Sequence, residues 1–210
     1  LAGWPLGAIM DRGYRDWHFE HHRTVGTPRD PELAYRGAGS LYAHPATRGV
    51  ILRRFLMDLV GLGVLDLAEF LKQILPQRRL RYWGPVALYG GLLAVCWSLD
   101  ALWVFGLWCA SVATGFWATF RIRTWMEHVG LEQAGAHGSH RFAASWWERL
   151  LFFPHHTDCH YEHHLYPQVP CSKLPALRDL LVAREGDKGR AVLTFRQVLD
   201  RFPSFDGTLR

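Results

Sequence analysis

No two of the four cysteines (Cys96, Cys109, Cys159 and Cys171) stand in a C-x-x-C pair, and Cys96 and Cys109 fall inside the most apolar stretch of the chain. A free thiol there behaves as a small hydrophobe. No disulfide framework is therefore expected, in keeping with a reducing, cytosol-facing site. Lysine is scarce, and arginine carries most of the formal charge of +5. No run of basic residues interleaved with aromatics is present, so no nucleic acid is expected as a partner; arginine-rich loops beside apolar spans point to a membrane surface instead. The chain opens on Leu1 without a charged-then-apolar signal segment, which reads as a fragment whose N-terminal part is missing.

Charge is also missing from one long run. Residues 83–120 carry Asp100 as their sole charged residue, almost at the middle of 38 positions. One membrane span needs about 20 apolar residues, so the run is too long for one helix and just enough for two short ones with a tight turn at Asp100. Arg78, Arg79 and Arg81 precede the pair, and Arg121 and Arg123 follow it. The positive-inside rule then puts both ends of a transmembrane hairpin on the cytoplasmic face. The alternative is a buried hairpin in a large soluble core, which 210 residues could hardly enclose. Residues 50–75 are apolar too, but Arg53, Arg54, Asp58, Asp66, Glu69 and Lys72 interrupt them, and Gly61 and Gly63 divide them. They read as an interfacial amphipathic segment rather than a span, or else as a plain core helix.

What the chain has in abundance is histidine, twelve in all, five of them within residues 155–164. The pattern H-aromatic-E-H-H occurs twice, as His18-Phe-Glu-His21-His22 and His160-Tyr-Glu-His163-His164. A helix turns about 100° per residue, so positions i, i+3 and i+4 share a face. Neutral imidazole suits iron, zinc, copper or nickel. Six imidazoles exceed the three or four ligands of one zinc site, which argues for two metal ions. Because a hairpin returns the chain to the side it left, both clusters can meet there.

The two boxes, the Leu165-Tyr-Pro-x-Val-Pro sequel of the second, the intervening hairpin and the element Arg123-x-x-x-Glu127-His128 together resemble the membrane-bound fatty acid desaturase superfamily, which includes lipid hydroxylases and carotenoid hydroxylases and ketolases. The likeness runs from about Trp4 to Pro175. It implies an all-α fold, a helical membrane protein with a cytosolic histidine-rich cap, and an integral membrane location. It also implies two iron ions held by His18, His21, His22, His128, His160, His163 and His164. The implied reaction is O₂-dependent desaturation of a lipid substrate, or its hydroxylation, since the two share ligands. Electrons would come from a separate ferredoxin or cytochrome b5-like donor. A non-catalytic metal-binding membrane protein is the reading from another class.

Two departures and several neighbours complete the expectations. The family's first histidine box is absent, because no histidine precedes His18; a truncated chain or an inactive relative would account for that. His156 stands where many relatives have Asn, and is open to a ligand, an orienting or a neutral role. Glu20, Glu127, Asp158 and Glu162 sit beside the ligand positions and suit the carboxylate that takes a metal-bound histidine's second N–H, or else are helix-surface charges. His44, His137, His140 and His155 read as surface or loop residues. One desaturase-like domain is expected over 1–210, ending in an amphipathic helical cytosolic tail from about 172 with no catalytic signal.

Overall fold

The computed structural model describes residues 12–32, 47–68, 83–131, 138–186 and 190–202. His44, His137, Glu69, Lys72 and the basic residues 78–81 lie outside the described residues.

Helices dominate. The first, α1, spans Arg12–Thr24 and carries the first histidine box; it ends before Gly26, which has φ 72°. The second, α2, spans Arg48–Leu59 and is started by Thr47, whose side chain accepts from the Val50 amide at 3.4 Å. A turn through Gly61 and Gly63 separates it from helical residues 64–68, so the two glycines do divide this segment. Then come α3 (Trp83–Ser98) and α4 (Leu102–Ser111), joined by a tight turn in which Asp100 adopts φ 53°. Aspartate tolerates that left-handed region better than most residues. Across the pair Trp108 Nε1 donates to the Tyr89 hydroxyl at 3.3 Å, and the Tyr89 and Phe105 rings meet edge-on at 6.2 Å.

The second arm does not stop where the apolar run stops. It continues through a π-helical turn, Val112–Phe116, into α5 (Trp117–His128), giving one unbroken helix from Leu102 to His128. This is the one helix among the described residues long and apolar enough to cross a membrane; α3, at 16 residues, is shorter. Most hydrophobic side chains of the hairpin are uncovered, among them Trp97, Leu99, Trp103 and Leu107. Past Trp117 the helix is enclosed almost all round.

The enclosure is a cap built on α5. Ile51 of α2, Ile122, Trp125, Met126 and Val129 of α5 and its exit, and Phe142, Phe153, Val198 and Phe202 make its core. The short helices α6 (Trp146–Leu151), α7 (His160–Leu165), α8 (Leu174–Glu185) and α9 (Phe195–Leu199) surround it. Two features depart from the sequence expectation. The cap is not purely helical: β1 (Arg141–Phe142) pairs in parallel with β2 (Val192–Leu193). The C-terminal stretch is not a plain tail either, because Val198 and Phe202 are core residues and β2 completes the strand pair.

A third difference concerns charge. Arg121, expected at the cytoplasmic membrane face, is fully buried. Its guanidinium donates to Asp58 Oδ2 (2.7 Å) and Oδ1 (3.0 Å) and to Asp66 Oδ2 (2.6 Å), and it lies against the rings of Trp117 and Trp125. Two of the charges that interrupt the 50–75 segment, Asp58 and Asp66, are thus its internal fastening to α5. Gly63 belongs to this arrangement, since a Cβ there would stand 1.9 Å from Asp58 Oδ1. Removing one partner of a buried ion group costs about 3–5 kcal/mol. Arg121→Leu should therefore destabilise the protein by about that amount, and Gly63→Ala should act in the same direction. Thermal melting in detergent, followed by tryptophan fluorescence, checks both; an unshifted midpoint for Arg121→Leu would show that the triad does not hold α2 to α5.

Candidate metal centre

The seven histidines of the sequence reading come together in two adjoining groups. In the first, the Nε2 atoms of His18, His22 and His163 form a nearly equilateral triangle with sides of 3.0, 3.1 and 3.1 Å. In the second, His160 Nε2 lies 3.2 Å from His128 Nε2 and 3.1 Å from His164 Nε2. His21 joins this group, with ligand nitrogens of His21, His128 and His164 all within 4.8 Å of one another. The groups abut where the His22 and His164 rings stack, 4.1 Å between centroids.

Helical spacing produces this. On α1, His18 and His22 are one turn apart and face His163, while His21 faces the other group. On α7, His160 and His164 are one turn apart and face His128, while His163 reaches back to α1. Each box thus gives ligand positions to both groups, and α5 adds His128 from its last turn.

For His128 and His21 the outer partner sets which nitrogen faces inward. His128 Nδ1 lies 2.7 Å from the Gly138 carbonyl, which can only accept, so Nδ1 carries the proton and Nε2 presents its lone pair. His21 Nδ1 donates to Asp30 Oδ1 at 2.9 Å with the same result. His160 Nδ1 is 3.5 Å from Glu127 Oε1. Outer partners of this kind orient metal-bound histidines.

Burial favours the neutral form of five of these rings. It pushes His18 and His163 down to about 4 and His22 down to about 2, with neighbouring imidazoles adding to the effect. His160 and His164 are lowered for the same first reason. Neutral nitrogens about 3 Å apart repel unless a cation lies among them, and a proton can bridge one edge of a triangle but not three. The donor set therefore fits a metal ion. At a metal–nitrogen length of about 2.1 Å, ligands at right angles are about 3.0 Å apart and tetrahedral ones about 3.4 Å. The edges of the first triangle, and the two that run from His160, fit right angles.

The other expected residues divide. Glu127 is buried against His128 and His160. Glu20 pairs with Arg23 on the outer face of α1. Glu162 is buried but turned away, paired to Arg141, which also donates to the Arg190 carbonyl at 2.9 Å. Asp158 is buried between Arg149 (3.2 Å) and Arg178 (3.1 Å). These two carboxylates fasten the cap together. His156 is exposed, has φ 61° and belongs to neither group; the chain does not continue as a regular helix from it to His160. His155 is exposed, as expected. His140 is not a surface residue: it is buried, its amide donates to the Glu127 carbonyl (2.9 Å) and its Nε2 to that of Val129 (2.8 Å). Carbonyls at the end of α5 need such donors. Asp30 was missed from the sequence; its signal is its place in the turn after α1, where it also accepts from the amides of Gly26 and Glu32.

Such a site, in a mostly helical protein with one long apolar helix, defines a polyhistidine protein suited to binding metal. The particular kind follows from the sequence as a whole: it matches the model of the fatty acid desaturase family over residues 1–196, and the chain belongs to that family of oxidoreductases. No curated protein and no solved structure matches it.

A buried histidine whose folded pKa is depressed takes up a proton in the unfolded chain first. Stability of the metal-stripped protein should therefore be full above about pH 6.5 and fall as pH drops from there toward 4. Urea unfolding at pH 7.5, 6 and 5 checks the sign. Asp30→Ala should weaken metal binding about 10–100-fold, measured by competition with a chelator.

Proposed function

We propose that this protein is a membrane di-iron oxidoreductase that uses O₂ to introduce a double bond into a fatty acyl chain or another lipid. The observation that carries the reading is the pair of imidazole groups, one a triangle with edges of 3.0–3.1 Å and the other with His160 at 3.1–3.2 Å from His128 and His164. Right-angle spacing leaves further positions around each ion, which suits an O₂-activating iron better than tetrahedral zinc. His18, His22 and His163 would hold one iron, and His21, His128, His160 and His164 the other. Bound iron would supply the redox activation of O₂ that no side chain here provides.

The remaining roles belong to the chain. Asp30 and the Gly138 carbonyl hold His21 and His128 in the tautomer that offers Nε2, and Glu127 does so for His160 at longer range. Burial keeps bulk water from the ligands. The uncovered hairpin would cross the bilayer, α2 would lie along its surface, and the histidines would face the cytoplasm. Desaturation would remove one hydrogen from each of two adjacent carbons, and these two hydrogens would leave with O₂, two electrons and two protons as two waters. The electrons would come from a separate ferredoxin or cytochrome b5-like protein. Hydroxylation would use the same ligands and put one oxygen atom into the lipid, so product analysis separates the two.

The deciding measurement is metal content of the detergent-purified protein. About two irons per chain are expected, falling by at least half in His160→Ala/His163→Ala, which removes one ligand from each group. Zinc in place of iron, or undiminished iron in the double variant, would overturn the assignment.

A further inference from the structure

Each histidine group has an oxidisable ring laid nearly flat on one of its imidazoles. The Tyr14 ring stacks on His18 of the first group, with 5.6 Å between centroids and 10° between planes. The Trp17 ring stacks on His21 of the second group, at 6.5 Å and 18°. Tyr14 and Trp17 also stack on each other, at 6.1 Å and 27°. Helical spacing in α1 produces the arrangement, since residues three and four apart are neighbours on a helix surface. The result is a continuous run of rings, His18–Tyr14–Trp17–His21, that links the two groups through α1 alone.

Two observations set this run apart from plain packing. Phenylalanine would support the imidazoles as well without burying a polar atom. Both positions instead carry rings with a hydrogen to give up, the phenol O–H and the indole N–H. Burial, then the Glu32 carboxylate, raises the pKa of the Tyr14 phenol, so a base stands near enough for the phenol to feel it. The run also has one accessible stretch. Inward, Trp17 packs on Trp117, which is fully buried and out of reach of any solute. Outward, Tyr14 and Trp17 are only partly buried and flank the exposed Arg15 and Asp16.

We propose that Tyr14 and Trp17 form a redox relay that protects the histidines: when O₂ is reduced at the site with no lipid in place, each of the two rings gives up one hydrogen in the lipid's stead. The proposal rests on the proposed function and adds to it a reaction in which the lipid takes no part. The balance closes. O₂ takes two electrons and two protons as before, and one electron with one proton from each of the phenol O–H and the indole N–H. Two waters leave, and a tyrosyl and a tryptophanyl radical remain. Two molecules of a soluble thiol then return the two hydrogens and leave as one disulfide. Without the relay the oxidant meets the imidazoles themselves, and the ligand set is lost.

The test uses the full chain in detergent, loaded with iron(II), reduced with dithionite and mixed with O₂ in the absence of lipid and thiol. Rapid freezing and electron paramagnetic resonance should show a tyrosyl and a tryptophanyl signal. Tyr14→Phe should remove the first and Trp17→Phe the second, because phenylalanine keeps the stacked ring and has no such hydrogen. Both variants should hold as much iron as the unaltered protein. Peptide mass spectrometry should find added oxygen on Tyr14 and Trp17 in the unaltered protein, and on His18 and His21 in the double variant. Added glutathione should erase the radical signals. Signals that persist in the double variant, no signal from the unaltered protein at full iron content, or equal oxidation of His18 and His21 in both proteins would overturn the relay. Should the double variant lose iron, the single variants carry the comparison. Iron measured alongside keeps the two readings apart: a protein without iron counts against the proposed function. In that case copper(II) with hydrogen peroxide makes an oxidant at the same imidazoles, and the shift of oxygen from residues 14 and 17 to residues 18 and 21 decides the relay by itself.

Discussion

Seven imidazoles aimed at one another are a liability that the rest of the cap exists to contain. Lone pairs 3.0–3.2 Å apart push outward, and several of the rings have something behind them. Asp30 stands behind His21 and the Gly138 carbonyl behind His128. The Tyr14 ring stacks on His18 at 5.6 Å. The α7 helix is held by the buried Arg141–Glu162 pair and by the Tyr161 amide, which donates to the His140 carbonyl. His140 in turn binds the end of α5, so the backbone around residue 140 joins the helix of His128 to the helix of His160.

A second fastening works at the other end of α5. Arg121 sits among Asp58, Asp66 and two tryptophan rings, out of water. Burying ions is expensive, and hydrophobic replacements are often as stable. What an ion triad adds is geometry: it accepts one register of α2 against α5 and rejects its neighbours.

The histidine boxes were legible because helical periodicity is local: spacing alone says that His18 and His22, or His160 and His164, share a face. The turn at Asp100 was legible for a similar reason, as the one charge in an apolar run. The sharing of ligands was not, because the sequence does not say that His21 and His163 would each point away from their own box-mates' group. Carboxylates were the hardest to place. Glu162 and Asp158 stand next to ligands in sequence yet answer to arginines far along the chain, at 141, 149 and 178. Asp30, outside both boxes, hydrogen-bonds a ring, and Glu127 stands 3.5 Å from another. Adjacency in sequence does not fix direction on so short a helix, and long-range ion pairs leave no local pattern. The burial of Arg121 and the strand pairing of residues 192–193 were hidden for the same reason.

The helix from Leu102 to His128 begins at the hairpin turn and ends on a histidine of the second group. Set across a bilayer as proposed, such a rod would transmit position: a change in hydrocarbon thickness or tilt at one end would displace the imidazole at the other, because a helix is stiff along its axis. The π-helical turn at Val112–Phe116 is where its regular hydrogen-bond ladder is interrupted. It lies just before the tryptophan that begins the enclosed part, and so separates the uncovered apolar half from the half that holds a nitrogen still.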